Sequence, residues 1–203
     1  MAKVNLSSPK VTIIALALLF FGPMMLAYFY VNFFPSSVET AGKAAKGQLI
    51  MPAKPMESFQ VEKLGGGELP VDFFKGKWTY VTFTPGSCGQ ECVDNLYKIR
   101  QIRLTQPEDI DRIQRLLVLT DASAGQALVA LLKEHPGLEV AKGNAASVGK
   151  FMQQFTGQET MPAHLPVYMV DPLGNIFMHY EATANPSDMK KDLARLMKYS
   201  KIG

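Results

Sequence analysis

The sequence predicts an α/β domain, a mixed sheet flanked by helices, behind one N-terminal transmembrane helix. Three observations carry that expectation. The stretch from Val11 to Phe34 holds no charged residue. After it, apolar runs of strand length alternate with longer segments of helical spacing. The last two runs, VYMVD and IFMHY, are joined by a Pro-Leu-Gly-Asn turn instead of a helix.

At 1.5 Å rise per residue the uncharged run makes about 36 Å of helix, more than the roughly 30 Å core of a bilayer. It outruns the core of a cleavable signal peptide, carries Gly22-Pro23 near its middle and is followed by no A-x-A site. The expectation is an uncleaved signal anchor over residues 11–34. Lys3 and Lys10 precede it in a tail, residues 1–10, that has no acid, while Lys43 and Lys46 follow at a distance. The positive-inside tendency makes the tail cytoplasmic and puts the C-terminal domain across the membrane. In a bacterium that is a single-pass inner-membrane protein facing the periplasm, where disulfides persist. Residues 35–48, PSSVETAGKAAKGQ, read as a linker, and residues 49–203 as a single domain with its own core.

All 18 acidic residues and all but two of the 21 basic ones lie beyond the anchor. That balance leaves no basic stripe, so nucleic acid is excluded as a partner. Gly65-Gly66-Gly67 follows no convincing strand and reads as a loop, which removes a dinucleotide fingerprint.

Along the domain, Trp78 to Phe83 is β-branched and aromatic and forms a strand. Cys92, Leu96, Ile99 and Ile102 then recur at helical spacing, up to about Gln106. RLLVLT, from Arg115, is a second buried strand. Gln126 to Glu134 is a helix stopped by His135-Pro136-Gly137, Leu138 to Ala141 a short strand, and Ala145 to Phe155 a helix. Val167 to Asp171 and Ile176 to Tyr180 form a hairpin, and Pro186 to Lys198 the last helix. Helical crossovers make the first strands parallel, and the hairpin makes the last pair antiparallel. This order is the thioredoxin-like one.

The chemistry lies in TFTPGSCGQEC. Cys88 and Cys92 are the only two cysteines of the chain. Ser87, followed by Gln90, fits a capping box, which makes Cys88 the first helical residue and puts Cys92 one turn on, along the same face. Such a pair can close a disulfide, act as a redox dithiol or hold a soft ion such as Cu(I). The helix terminus lowers the pKa of Cys88, opposed by Glu91 and Asp94. A purely structural bridge fits poorly, since so short a loop gains least from closure. Of the three histidines, His135 reads as a solvated helix end, and the face of His179 is left open by its strand. His164 precedes Pro166, where thioredoxin-like folds bring a loop ending in a cis-proline up to the dithiol; an imidazole there can ligate metal or tune a thiolate. Asp121 reads as a helix cap, and Met152 and Met161 as core residues.

KGKWTYVTFTPGSCGQEC, RLLVLTD and VYMVDPLGNIFMHY resemble the Sco/SenC copper chaperones of cytochrome c oxidase assembly. GQLIMPAKP, LYKIRQIRL and the terminal KYSKIG resemble a smaller group of membrane-anchored, Sco-related proteobacterial proteins. The resemblance implies one membrane anchor, a thioredoxin-like domain and a copper site formed by two cysteines and a distant histidine. By position Cys88 and Cys92 match the cysteine ligands. Val93 stands where Sco proteins have proline, Ala163 takes the place of the ligand histidine, and His164 is displaced by one residue. A one-residue shift in extended chain reverses the side chain. His164 is then a third ligand only if Pro162 or Pro166 kinks the loop.

The resulting expectation is a periplasmic assembly factor handling Cu(I), or reducing thiols at the oxidase copper site, through catalytic Cys88 and Cys92. Its partners would be a cytochrome c oxidase subunit or another copper chaperone. The alternatives are a metal-free thiol–disulfide oxidoreductase and a non-catalytic interaction module.

Overall fold

The computed structural model describes residues 9–33, 45–121, 124–157, 164–200 and 202. Met161, Pro162, Ala163 and most of the linker lie outside them. The chain falls into two units, one ending at Ala45 and a domain from Lys46 onward. The first contains α1 (Pro9–Phe33), whose stretch Pro9–Tyr30, with a mean hydropathy of 2.2, is long and apolar enough to cross a membrane.

The domain's strands are β1 (Gln48–Pro55), β2 (Glu62–Lys63), β3 (Trp78–Thr84), β4 (Ile113–Leu119), β5 (Leu138–Lys142), β6 (Val167–Val170) and β7 (Asn175–Tyr180). Its helices are α2 (Gln90–Leu104), α3 (Gln126–Leu132), α4 (Ala145–Thr156) and α5 (Pro186–Tyr199). They build one sheet in the order β1-β7-β6-β3-β4-β5-β2. β3, β4 and β5 are parallel, while β6, β7 and β1 alternate in direction beyond β3. This is the thioredoxin-like arrangement expected, with every expected strand and helix present.

β3 is central and buried along its whole length, which suits its β-branched and aromatic sequence. Val81 and Phe83 on one face meet Phe59, Phe74, Phe151, Met152 and Phe155, so Met152 is a core residue, as its sequence context suggests. On the other side α2 packs over β3 and β4 and against α5. The β6–β7 turn is closed by the Asp171 carboxylate, which accepts from the N–H groups of Leu173 and Asn175 at 2.9 and 2.8 Å. Gly174 takes φ +89° there, a conformation open to glycine.

Besides the two-residue β2, two features had no counterpart in the sequence reading. β1 pairs antiparallel with β7 at the sheet edge, its side chains mostly exposed and its register broken by a bulge between Leu49 and Lys54. The start of the domain is anchored by Asp192 of α5. This buried carboxylate accepts from the N–H of Lys46 at 2.8 Å, the N–H of Gly47 at 2.9 Å and the Tyr180 hydroxyl at 3.1 Å. Gly47 is required by space: a Cβ there would stand 2.5 Å from the Met178 sulfur.

His135 corrects its sequence reading as a solvated helix end, being 4% exposed. The Leu138 N–H donates to its backbone oxygen at 3.1 Å, so the tight turn into β5 carries it inward. Burial first, then the charges of Arg115 on β4 and Arg100 on α2, push its pKa below the usual value, against an upward pull from Glu134. The folded state therefore keeps His135 neutral at pH values where the unfolded chain already takes up a proton. The associated stability is full above about pH 6.5 and declines as pH falls below it, towards the lower folded pKa. Thermal melts at stepped pH should show this acid slope, and His135→Gln should flatten it.

Candidate dithiol site

The parallel strands β3, β4 and β5 end at one edge of the sheet, and antiparallel β6 begins there, with Val167 paired to Thr82. This end gathers the cysteine turn after β3, the loop after β4 and the segment before β6. It is the arrangement that places His164 and Leu165 beside the start of α2.

Cys88 and Cys92 form a disulfide with a Cα–Cα distance of 5.3 Å. Cys92 is buried at 1% exposure, whereas Cys88 is half-buried. An external thiolate or metal ion therefore reaches Cys88 first.

The start of α2 differs from the capping-box expectation. Gly89 is the N-cap, no side chain caps the helix, and the first helical residue is Gln90. The Gln90 amide turns forward to donate to Asp94 at 2.9 Å. Cys88 stands before the helix with φ +42°, its N–H donating to the Pro85 oxygen at 3.0 Å. A turn over Pro85–Cys88 has displaced the first helical turn. A non-glycine residue at positive φ carries strain of about 1–2 kcal/mol, so the surroundings must impose it.

They do so through Asp121. Its carboxylate accepts from the Gly86 N–H at 3.0 Å, and the Gly125 N–H donates to the Gly86 oxygen at 2.9 Å. The Gly86 peptide is thus held on both sides by the loop after β4. Asp121 is not the helix cap expected of it, since Gly125 occupies the N-cap of α3. Its position at the end of a parallel strand, where such sheets gather their sites, was the available signal.

The segment before β6 is fastened to α2 in a similar way. Glu91 Oε1 accepts from the Leu165 N–H at 2.8 Å, and buried Asn95 donates through Nδ2 to the Leu165 oxygen at 2.7 Å. Glu91 and Asn95 lie one turn apart and immediately precede Cys92 and Leu96, so Leu165 is held at both its N–H and its carbonyl next to the disulfide. Sequence reasoning missed this pair, apart from noting the charge of Glu91. Lys98, further along α2, donates to the Ala182 oxygen, and burial lowers its pKa against the upward pull of Asp94 and Glu91.

His164 is brought to the first turn of α2, with Nδ1 3.8 Å from Glu91 Oε1, and its side chain is 80% exposed. The Leu165–Pro166 bond is not cis; among the described residues the cis bond is Met51–Pro52. His179 lies on β7, its ring 5.8 Å from that of Tyr168 and tilted by 38°, with Nε2 3.7 Å from Glu181 Oε1. Among the described residues no group of three His, Cys, Asp or Glu side chains is arranged to hold a metal.

A thioredoxin-like sheet with a cysteine pair at the head of its first crossover helix defines a thioredoxin-like disulfide domain. The profile of the family described as "Transmembrane-like, thioredoxin-like, C-terminal domain" matches residues 78–200, and the chain belongs to that family. No curated protein sequence matches it. Among solved structures, yeast Sco1 with copper bound is similar at 18% identity and TM-score 0.61, over 72% of this chain and 94% of that one. BsSco, described as a Sco-family cytochrome c oxidase assembly protein with a disulfide switch, is similar at 13% identity and TM-score 0.59, over 73% and 96%. The thioredoxin domain of a thiol–disulfide oxidoreductase from Bacteroides vulgatus follows at 14% and 0.55, over 70% and 95%. At these identities the shared property is the fold.

Proposed function

We propose that the protein is a membrane-anchored cytochrome oxidase assembly factor whose Cys88–Cys92 pair handles Cu(I), or reduces thiols, at the oxidase copper site. The observation that carries this reading is a half-buried cysteine bonded to a buried one at an uncapped helix start. The unpaired N–H groups of that start favour thiolate once the disulfide is reduced. In the anchor reading of α1, the domain works on the periplasmic side of the inner membrane. Its partners there are an oxidase subunit or another copper chaperone. The copper-bound and oxidase-assembly descriptions of its structural neighbours support that assignment by analogy of fold.

As a reductant, the Cys88 thiolate attacks a client disulfide, forming a mixed disulfide and releasing one client thiolate. Cys92 then attacks the Cys88 sulfur, releasing the second client thiolate and closing Cys88–Cys92. The client gains two electrons, and a further dithiol donor restores the starting state. As a carrier, the same two thiolates suit Cu(I), a soft ion, as cargo. The donor set on α2 fits that ion with two ligands, and exposed His164 is the proposed third.

The experiment is a Cu(I) titration of the reduced full chain in detergent micelles, anaerobically and against a competing chelator. One tight equivalent is expected, lost in Cys88→Ser and in Cys92→Ser and weakened in His164→Ala. If no tight equivalent forms, copper carriage is wrong. Catalysed reduction of an oxidised dithiol peptide, dependent on Cys88, then tests the reductant arm, and its failure as well would leave an interaction module.

A further inference from the structure

Arg115 on β4 is 2% exposed, yet among the described residues it pairs with no carboxylate. Its Nη2 donates to the Pro136 oxygen at 2.6 Å, while Nε and Nη1, both buried, find no acceptor among the described residues. Its neighbours add positive charge. Arg103 of α2 lies over the same strand, its Nε donating to the Ile113 oxygen at 2.8 Å. Arg100 stands one turn earlier on the same helix face, with no hydrogen bond or ion pair to a described residue. Buried His135 leaves Nδ1 without a partner.

The hydrogen bonds of Arg115 to Pro136 and of Arg103 to Ile113 put two guanidinium groups and the His135 turn beside β4, with Arg100 within electrostatic reach. Burial first, then the charges of Arg103 and Arg100, lower the Arg115 pKa to about 10. Glu134 is the carboxylate whose charge reaches His135, and among the described residues none pairs with Arg115. Buried charges are ordinarily paired, and buried donors ordinarily bonded.

We propose that Arg115, Arg100, Arg103 and His135 form a binding site for a small inorganic oxyanion, phosphate or sulfate. Guanidinium groups present several charge-assisted donors, and a tetrahedral oxyanion presents acceptors in matching number. Burial selects the size of the ligand. At 2% exposure Arg115 is too buried for an acidic side chain of a partner protein, so the ligand is a free ion, with half-buried Arg100 and Arg103 on its outer side. Arg115 pairs with Tyr80 and Leu138 across the sheet, near the start of β4, whereas the cysteine turn follows the far end of β3. The site is thus separate from the dithiol.

The test is a thermal melt of the full chain in neutral detergent at pH 7, with sodium phosphate and then sodium sulfate titrated at constant ionic strength against a bulky sulfonate salt. Site binding gives a melting temperature that rises and saturates with anion concentration. Arg100→Gln and Arg103→Gln, both half-buried positions, should each raise the half-saturating concentration at least tenfold. General salting-out rises without saturating and is indifferent to these substitutions. A non-saturating rise, or a saturating one equal in wild type and in both variants, overturns the proposal.

Discussion

Asp192→Ala should destabilise the domain by about 3 kcal/mol, lowering its melting temperature by about 6–12 °C. The carboxylate is buried and accepts from two backbone N–H groups and the Tyr180 hydroxyl. Alanine leaves all three donors without an acceptor, in a place where Lys46 and Gly47 have no alternative partner among the described residues. Asp192→Asn keeps one acceptor oxygen and should lose about half as much, and Tyr180→Phe, which removes one donor, about 1 kcal/mol. Hydrogen exchange adds a spatial readout: lost protection should concentrate in β1, whose first residue follows Gly47 directly. A variant that melts within 1 °C of wild type would show that the seat contributes nothing.

Phe151→Ala should cost about 3–5 kcal/mol. Phe151 is fully buried on α4, with ring centroids 4.7 Å from Phe59, 5.3 Å from Phe155, 6.1 Å from Phe83 and 6.3 Å from Phe74. Its partners come from β3, α4 and the segments before β3, so no single neighbour can collapse into the space. Phe151→Leu retains much of the volume and should cost roughly half. Urea unfolding gives the comparison, and equal midpoints for Phe151→Ala and wild type would contradict the packing described.

The elements that local pattern specifies were readable. β3, β4, β6, β7 and the four helices of the domain carry their own periodicity or their own turn residues, and their ends fall close to those expected. β1 escaped because QLIMPAKP has neither alternation nor a buried face, and its two prolines argue against a strand. Its place is decided by β7, far along the chain. The same holds at the dithiol. Ser87 and Gln90 satisfy the local rule for a helix start, and the rule fails because Asp121 and Gly125, from another loop, impose a turn on Gly86. Glu91 and Asn95 look like ordinary helix polars until Leu165 arrives between them. Asp192 sits among charges in SDMKKDLARLMK and reads as surface; only the return of Lys46 and Gly47 explains its burial.

The two margins of the sheet bear on how a client is recognised. β1 is bulged and carries Pro52, Lys54 and Pro55, while β2 is two residues long and covers the end of β5. The bulge and the prolines of β1, and the shortness of β2, work against an extended peptide building another rung there. In the proposed function, a client of the cysteine pair is recognised by side chains around Cys88, on a surface set by Ser87, Glu91 and His164, and selectivity follows the shape of that small patch.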